Sequence, residues 1–273
     1  MSDNHHPGEG TIPPQGASHA RGAMEALDEA GIPFLVAGAY ALACYTGIER
    51  HTKDFDIFVE ESDIADALDV LTDEGFRTEM ESEIWIAKAF KGQEYVDLIF
   101  NSGNARTRID RSWFDHAEHQ EVFGMDALIC PPEEMIWSKA YIMERERYDG
   151  ADVAHLLRCC ASELDWERLL ARFEEHWRVL LSHLILYGFI YPAHRDKVPA
   201  EVMHDLLERT HREVEQGAVD TRLCRGTLLS RSQYGIDVEM WGCQDARVEP
   251  HGELTHAQAR ELSPPYRPRS ERA

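Results

Sequence analysis

The sequence predicts an α/β fold of the α+β kind followed by a helical domain. Short apolar runs alternate with helix-period segments up to about residue 130, a helical pattern dominates after Pro131-Pro132, and Gly and Pro punctuate the boundaries. With 273 residues and 43% hydrophobic content the chain can bury a sizeable core, so a disordered or fibrous protein is excluded. The 28 Lys and Arg face 50 Asp and Glu, a formal charge of −22 that repels phosphodiester backbones and anionic membrane surfaces. General nucleic-acid binding is therefore disfavoured.

The first 20 residues are polar and Gly/Pro-rich without an apolar run, and are expected to form a disordered leader with no secretion or transit signal. Arg21 to Ala30 is helix-like and is stopped by Gly31-Ile32-Pro33. Phe34 to Ala37 reads as a short buried strand, Gly38 as a turn, and Ala39 to Tyr45 as a helix closed by Gly47. Asp54 to Val59 is a second strand, and Ile64, Ala67, Leu68 and Leu71 mark a helix ending near Gly75. Three β-rich pieces follow at Phe76 to Met80, Ile84 to Phe90 and Tyr95 to Phe100, with Gly92-Gln93 a hairpin turn between the last two.

A further β-rich piece, Glu121 to Cys130, leads into Pro131-Pro132-Glu133-Glu134, where Pro and early acids suit a helix start. From there to Gly217 the pattern is mostly helical, with breaks near Gly150, Ser162 and Pro192. Val179 to Tyr191 is too short to cross about 30 Å of hydrocarbon and carries His183, so it is expected to be a buried helix. The domain expectation is thus an α/β domain over 21–130, a mainly helical domain over 131–240 that is less regular after Ala218, and a polar tail over 241–273 too poor in apolar residues to predict structure. The six cysteines have no Cys-x-x-Cys pair or zinc-ligand spacing and read as reduced cytoplasmic thiols.

The chemical signal lies in Gly38-Ala39, then Asp54-Phe55-Asp56, then Asp97 inside the apolar strand Tyr95 to Phe100. Strand side chains alternate, so Asp54 and Asp56 share a face; a third acid on a neighbouring strand would complete an oxygen-rich site suited to Mg²⁺. Gly38, opening a helix just after a strand, allows a phosphate to approach the helix amides. Each acid alone has the plainer reading of a solvated carboxylate, but an acid within an apolar strand is costly to bury unpaired.

Gly38-Ala39, Arg50-His51-Thr52-Lys53-Asp54-Phe55-Asp56 and Asp97 resemble the signature of the polymerase-beta-type nucleotidyltransferase superfamily, especially small bacterial members akin to the AbiEii-like type IV toxins. The resemblance covers roughly residues 33 to 160. It implies a mixed sheet with flanking helices, a catalytic domain over 21–130 and a substrate-binding role for 131–240. It implies two Mg²⁺ ions held by Asp54, Asp56 and Asp97, a nucleoside triphosphate such as ATP at the glycine turn of Gly38 and Ala39, and a role for Asp97 in activating an acceptor hydroxyl. A cognate antitoxin is an implied partner. Ala39 stands where the family usually has a second glycine or a serine.

Arg50, Thr52 and Lys53 read equally as phosphate contacts or as a polar turn. Ile136, Lys139, Ala140 and Met143 fall at helical spacing, which puts Lys139 on an apolar face, either snorkelling from the core rim or meeting a phosphate. Arg145 and Arg147 read as a solvated charged face, Ser102-Gly103-Asn104 as a turn, and His116 and His119 as surface histidines. No Gly-x-x-x-x-Gly-Lys-Ser/Thr, Gly-x-Gly-x-x-Gly or Gly-x-Ser-x-Gly occurs. Haloacid-dehalogenase phosphatases also use Asp-x-Asp, but at the end of an apolar strand, whereas polar Glu49 to Lys53 precede it here.

The expected function is Mg²⁺-dependent nucleotidyl transfer from a nucleoside triphosphate to a hydroxyl, with pyrophosphate released. Between Asp54 and Glu83 the only base is Arg77, which favours a small-molecule or protein acceptor over nucleic acid. The competing expectation is a catalytically weak nucleotide-binding or toxin-antitoxin component, motivated by Ala39.

Overall fold

A computed structural model describes residues 17–50, 52–102, 104, 106–219 and 221–263. The leader as far as residue 16 with His5-His6, His51 of the signature, Gly103 of the expected turn and the last ten residues of the tail lie outside the described residues. The described chain divides into two units: residues 17–102 with 108–135, and Asn104, Arg106 and Thr107 with residues 136–263.

The first unit begins with α1 (Ala17–Glu29), which starts four residues before the expected Arg21. The leader expectation is corrected at its end: Ala20 is fully buried and His19 pairs with Glu94 at 3.0 Å, so packing extends the helix backward. Next come β1 (Leu35–Val36), α2 (Gly38–Thr46), β2 (Asp54–Phe58) and α3 (Ile64–Asp73). The chain continues through β3 (Arg77–Ser82), β4 (Ile86–Lys91), β5 (Glu94–Ile99) and β6 (Asn101–Ser102). After β7 (Thr107–Arg108) and α4 (Arg111–Asp115) come β8 (Glu118–Val122) and β9 (Met125–Ile129).

Seven strands form one mixed sheet in the order β3-β4-β5-β2-β1-β9-β8, with β2·β5 and β1·β9 parallel and the other pairs antiparallel. Helices α1 and α3 pack on each other; α1 also packs on β5, and α3 on β3 and β4. One apolar ladder runs Ile57–Leu98–Ala87 across β2, β5 and β4, and a second runs Phe55–Val96–Ala89. All six side chains are buried, and the residues between them point to the opposite face. The expected β-rich piece at 121–130 is a hairpin whose first strand, Glu-His-Gln-Glu-Val, is too polar to stand out in the sequence. Its turn, Phe123-Gly124, has positive φ at both residues, the conformation that matches strand twist in a two-residue loop.

Helix α5 (Pro132–Ala140) runs across the division at 135 and 136, and the second unit goes on with α6 (Gly150–Cys160), α7 (Trp166–Phe173), α8 (Trp177–Ile190) and α9 (Ala200–Gln216). Helix α8 packs on α6, α7 and α9. The expected buried helix is α8, buried along one face: Leu180, His183, Leu184 and Tyr187 are buried, while Phe189 is 81% exposed and Ile185 55%. His183 is kept by a hydrogen bond between Nε2 and the Ala140 carbonyl at 3.0 Å.

Residues after Trp241, for which composition predicts no structure, carry β11 (Gln244–Asp245) and α11 (His256–Glu261), preceded by β10 (Leu223–Cys224) and α10 (Gly235–Glu239). Buried Arg247 organises this segment by pairing with Asp245 at 2.6 Å and donating to Ser263 Oγ at 2.9 Å. Among the described residues no helix is long and apolar enough to cross a membrane. All six cysteines are free.

Candidate active site

The parallel pairing of β2 with β5 places Asp56 directly opposite Asp97, and Asp54 opposite Tyr95. Alternation turns Asp54, Asp56 and Asp97 away from the apolar ladders. Their carboxylates offer three oxygens that all lie within 4.8 Å of one another, so the expected acids do converge. Asp97 is buried, and Asp54 and Asp56 are half-buried.

Gly38 makes room for this arrangement. Its φ is +57°, and a Cβ there would lie 1.8 Å from Asp56 Oδ2. The preceding Ala37 amide donates to the Asp56 carbonyl at 3.0 Å, which locks the glycine turn against β2. Helix α2 starts at Gly38 with no side-chain cap hydrogen bond, and its first turn holds Ala39 and Tyr40. A helix start beside metal-binding acids suits a phosphate. At its other end Gly47, in the left-handed conformation, donates its amide to the Ala43 carbonyl at 2.8 Å.

Burial pushes the Asp97 carboxyl above the usual carboxylate range; nearby Lys88 opposes that rise and Asp54 adds to it. Tyr40 is raised by burial and then by Asp54, Glu94 and Asp56, which places its phenol within the field of the same acids. Its ring meets Phe55 and Phe123 edge-on, each at 5.1 Å between centroids.

Sequence reasoning missed Lys88. It lies opposite Asp97 on β4, with Nζ 3.3 Å from Asp97 Oδ1 and 3.0 Å from Glu81 Oε2. In the segment Ile-Ala-Lys-Ala-Phe-Lys it looks like an ordinary solvent-face lysine. Only the β4·β5 register, set by the two-residue Gly92-Gln93 turn, shows what it faces.

The other expected contacts divide. Thr52 Oγ1 accepts from the Asp54 amide at 3.3 Å and lies 3.2 Å from the Asp54 carbonyl, so the hydroxyl shapes the entry to β2. Arg50 and Lys53 are exposed beside it. Lys139 belongs to the second unit, where Nζ is 2.8 Å from Asp152 and 3.5 Å from Asp149. The expectation of an ammonium available to a phosphate is corrected: the Lys139 side chain is 14% exposed and its ammonium is neutralised by two buried acids, one of which also takes Arg147 at 2.9 Å. The Asp149-x-x-Asp152 spacing, one helical turn at the start of α6, was the available signal.

Asn104, expected in a turn, is buried, and its Nδ2 donates to the carbonyls of Leu228 and Tyr141 at 2.9 and 3.2 Å. His116 and His119 are exposed and make local contacts with the Ser112 carbonyl and Asp126.

Fold and site together define a mixed-sheet α/β protein with three carboxylates gathered on two adjacent central strands. Residues 17–195 match the family described as uncharacterised nucleotidyltransferase, and the chain belongs to that family. No curated protein matches the sequence. Among solved structures it is similar to the antibiotic-resistance factor ANT(2'')-Ia, with 17% identity, a TM-score of 0.44, and coverage of 63% of this chain and 98% of that one. It is also similar to the lincosamide antibiotic adenylyltransferase LnuA, with 12% identity, a TM-score of 0.38, and coverage of 54% and 98%. An antigenic nucleotidyltransferase-like protein from Paracoccidioides brasiliensis shares 14% identity at a TM-score of 0.36, with coverage of 63% and 93%.

Proposed function

We propose that the protein transfers a nucleoside monophosphate from a nucleoside triphosphate to a hydroxyl acceptor, with Asp54, Asp56 and Asp97 as the metal-binding and catalytic acids. The observation that carries this reading is the convergence of three carboxylate oxygens within 4.8 Å beside a glycine turn that opens a helix. An all-carboxylate donor set suits Mg²⁺, which keeps part of its water shell and takes substrate phosphates. Two Mg²⁺ ions held there would lower the pKa of the acceptor hydroxyl and neutralise the leaving pyrophosphate.

The acceptor oxygen attacks the α-phosphorus, the bond to the bridging oxygen of the β-phosphate breaks, and pyrophosphate leaves with that electron pair. Asp97 takes the hydroxyl proton. Gly38, Ala39 and the first turn of α2 bind the triphosphate, with exposed Arg50 and Lys53 as further phosphate contacts and Thr52 shaping the turn that carries them. The acid-rich stretch from Asp54 to Glu83 supports a small-molecule or protein hydroxyl over nucleic acid as acceptor. Six free thiols support a reducing, cytoplasmic setting.

The test is incubation with each α-labelled nucleoside triphosphate, Mg²⁺ and cell extract, followed by detection of labelled product. A product lost in Asp56→Asn supports the reading, and a product equally abundant in that variant refutes it. Ala39 favours a second reading, a nucleotide-binding or toxin-antitoxin component with little or no transferase activity. Binding of a triphosphate without pyrophosphate release across a broad acceptor panel would select it.

A further inference from the structure

Three directly opposed residues cross the sheet in one row: Asp56 on β2, Asp97 on β5 and Lys88 on β4. The row places an ammonium at the edge of the carboxylate cluster. Lys88 is held there by its surroundings, since its side chain is 20% exposed and its Nζ stands 4.7 Å from the Tyr95 ring centroid. It is also shared. Nζ lies 3.3 Å from Asp97 Oδ1 and 3.0 Å from Glu81 Oε2, and Glu81 is half-exposed while Asp97 is 10% exposed. The Glu81 contact arises where the β3·β4 register shifts between Glu79 and Ser82.

We infer that Lys88 is a positioning residue that balances Asp97 before a metal ion binds and is handed to Glu81 when one does. The inference rests on the proposed metal-binding role of Asp54, Asp56 and Asp97. A buried carboxylate beside two like charges is costly without a counter-charge, and Lys88 supplies one. The same ammonium repels an incoming divalent cation, so metal loading has to move positive charge away from Asp97. Glu81 offers a berth within reach of the same side chain, so the charge moves without leaving a carboxylate partner. Metal affinity is then set by the competition between Asp97 and Glu81 for one lysine.

This arrangement predicts opposite effects from its two members. Lys88→Met keeps the aliphatic stem and removes the competing charge, so Mn²⁺ binding should tighten by about tenfold or more, given the size of a unit-charge interaction at such range in a half-buried site. Glu81→Gln removes the berth and should weaken Mn²⁺ binding. A lysine with a purely structural role gives losses or no change in both.

The experiment is calorimetric titration of Mn²⁺ alone into wild type, Lys88→Met, Glu81→Gln and Asp56→Asn, each checked for its melting temperature. Tighter binding in Lys88→Met with weaker binding in Glu81→Gln supports the inference. Unchanged or weaker binding in Lys88→Met overturns it while the metal site stands. If Lys88→Met does not fold, Glu81→Gln decides alone, and unchanged affinity there overturns the inference. Binding in Asp56→Asn equal to wild type, or no binding in any of the four proteins, refutes the metal-site reading itself and the inference with it.

Discussion

The absent side chain of Gly38 and the carboxylate of Asp56 share one volume: a Cβ on the glycine would stand 1.8 Å from Oδ2. Gly38→Ala therefore has to displace Asp56 while also holding alanine at a φ of +57°. The expected result is a loss of stability of at least about 1–3 kcal/mol from the backbone conformation alone, together with loss of Mn²⁺ binding. Denaturant unfolding and metal titration of this single variant check both.

Asp56→Asn should separate folding from chemistry. The acid stands among like charges, so neutralising it relieves repulsion in the metal-free protein, and its melting temperature is expected to equal or exceed that of wild type. Pyrophosphate release, followed with Mg²⁺ and a triphosphate, should fall to background. Full release from the folded variant would remove Asp56 from the catalytic set.

Lys139 is expected to matter for stability. Lys139→Met leaves Asp152 and Asp149 buried without the ammonium between them, and breaking a buried pair in this way costs about 3–5 kcal/mol. Arg147 still pairs with Asp149, so the lower end of that range applies. Urea unfolding measures it. A loss under about 1 kcal/mol accompanied by weaker triphosphate affinity would return Lys139 to the phosphate site.

His176 predicts an acid sensitivity of the second unit. Its Nδ1 lies 3.0 Å from the Tyr141 hydroxyl and accepts from Arg106 Nε at 3.3 Å, so both bonds use the neutral ring. Burial first, then Arg106, lowers its pKa from 6.5 to about 4. Burial likewise raises its partner Tyr141 to about 12. A depressed histidine pKa means that the unfolded chain binds the proton more readily. The stability it contributes is complete above pH 6.5 and declines as pH falls from 6.5 toward 4. His176→Gln should flatten that part of the pH-stability curve. Equal slopes for wild type and variant between pH 7 and pH 5 would refute it.

The site's acids were legible because strand alternation and a strand-glycine-helix unit are local patterns. Asp54, Asp56 and Gly38 are readable within twenty residues of one another, and Asp97 stands out as a charge in an apolar run. Lys88 and Glu81 were not legible, because their meaning depends on which residue faces which across β3, β4 and β5, including a register shift. The partners of Lys139 were hidden differently: helical periodicity located its buried face but not the acids on the next helix. The early start of α1 escaped because the polar composition of Ala17 to Ala20 outweighed packing that only the folded unit supplies. For the same reason the edge strand β8 and the elements after Trp241 carried no sequence signal, since their stability comes from a neighbour or from one buried ion pair.

The distance between Asp56 and Asp97 is a property of the main chain, because both residues sit in the same hydrogen-bonded ladder. A slide of β5 past β2 by one residue would bring Leu98 opposite Asp56 and rotate Asp97 into the layer of Val96 and Leu98. Length changes in this protein are therefore unequal in their effects. Deleting one residue within Asp54 to Phe58 would turn part of β2 over, taking an acid off the site face and Phe55 or Ile57 out of the apolar ladders together. Residues inserted at Gly75, between α3 and β3, where a side chain would meet nothing within 4 Å, would leave the alignment of the carboxylates untouched. Relatives that diverge in length should do so at joints of that second kind.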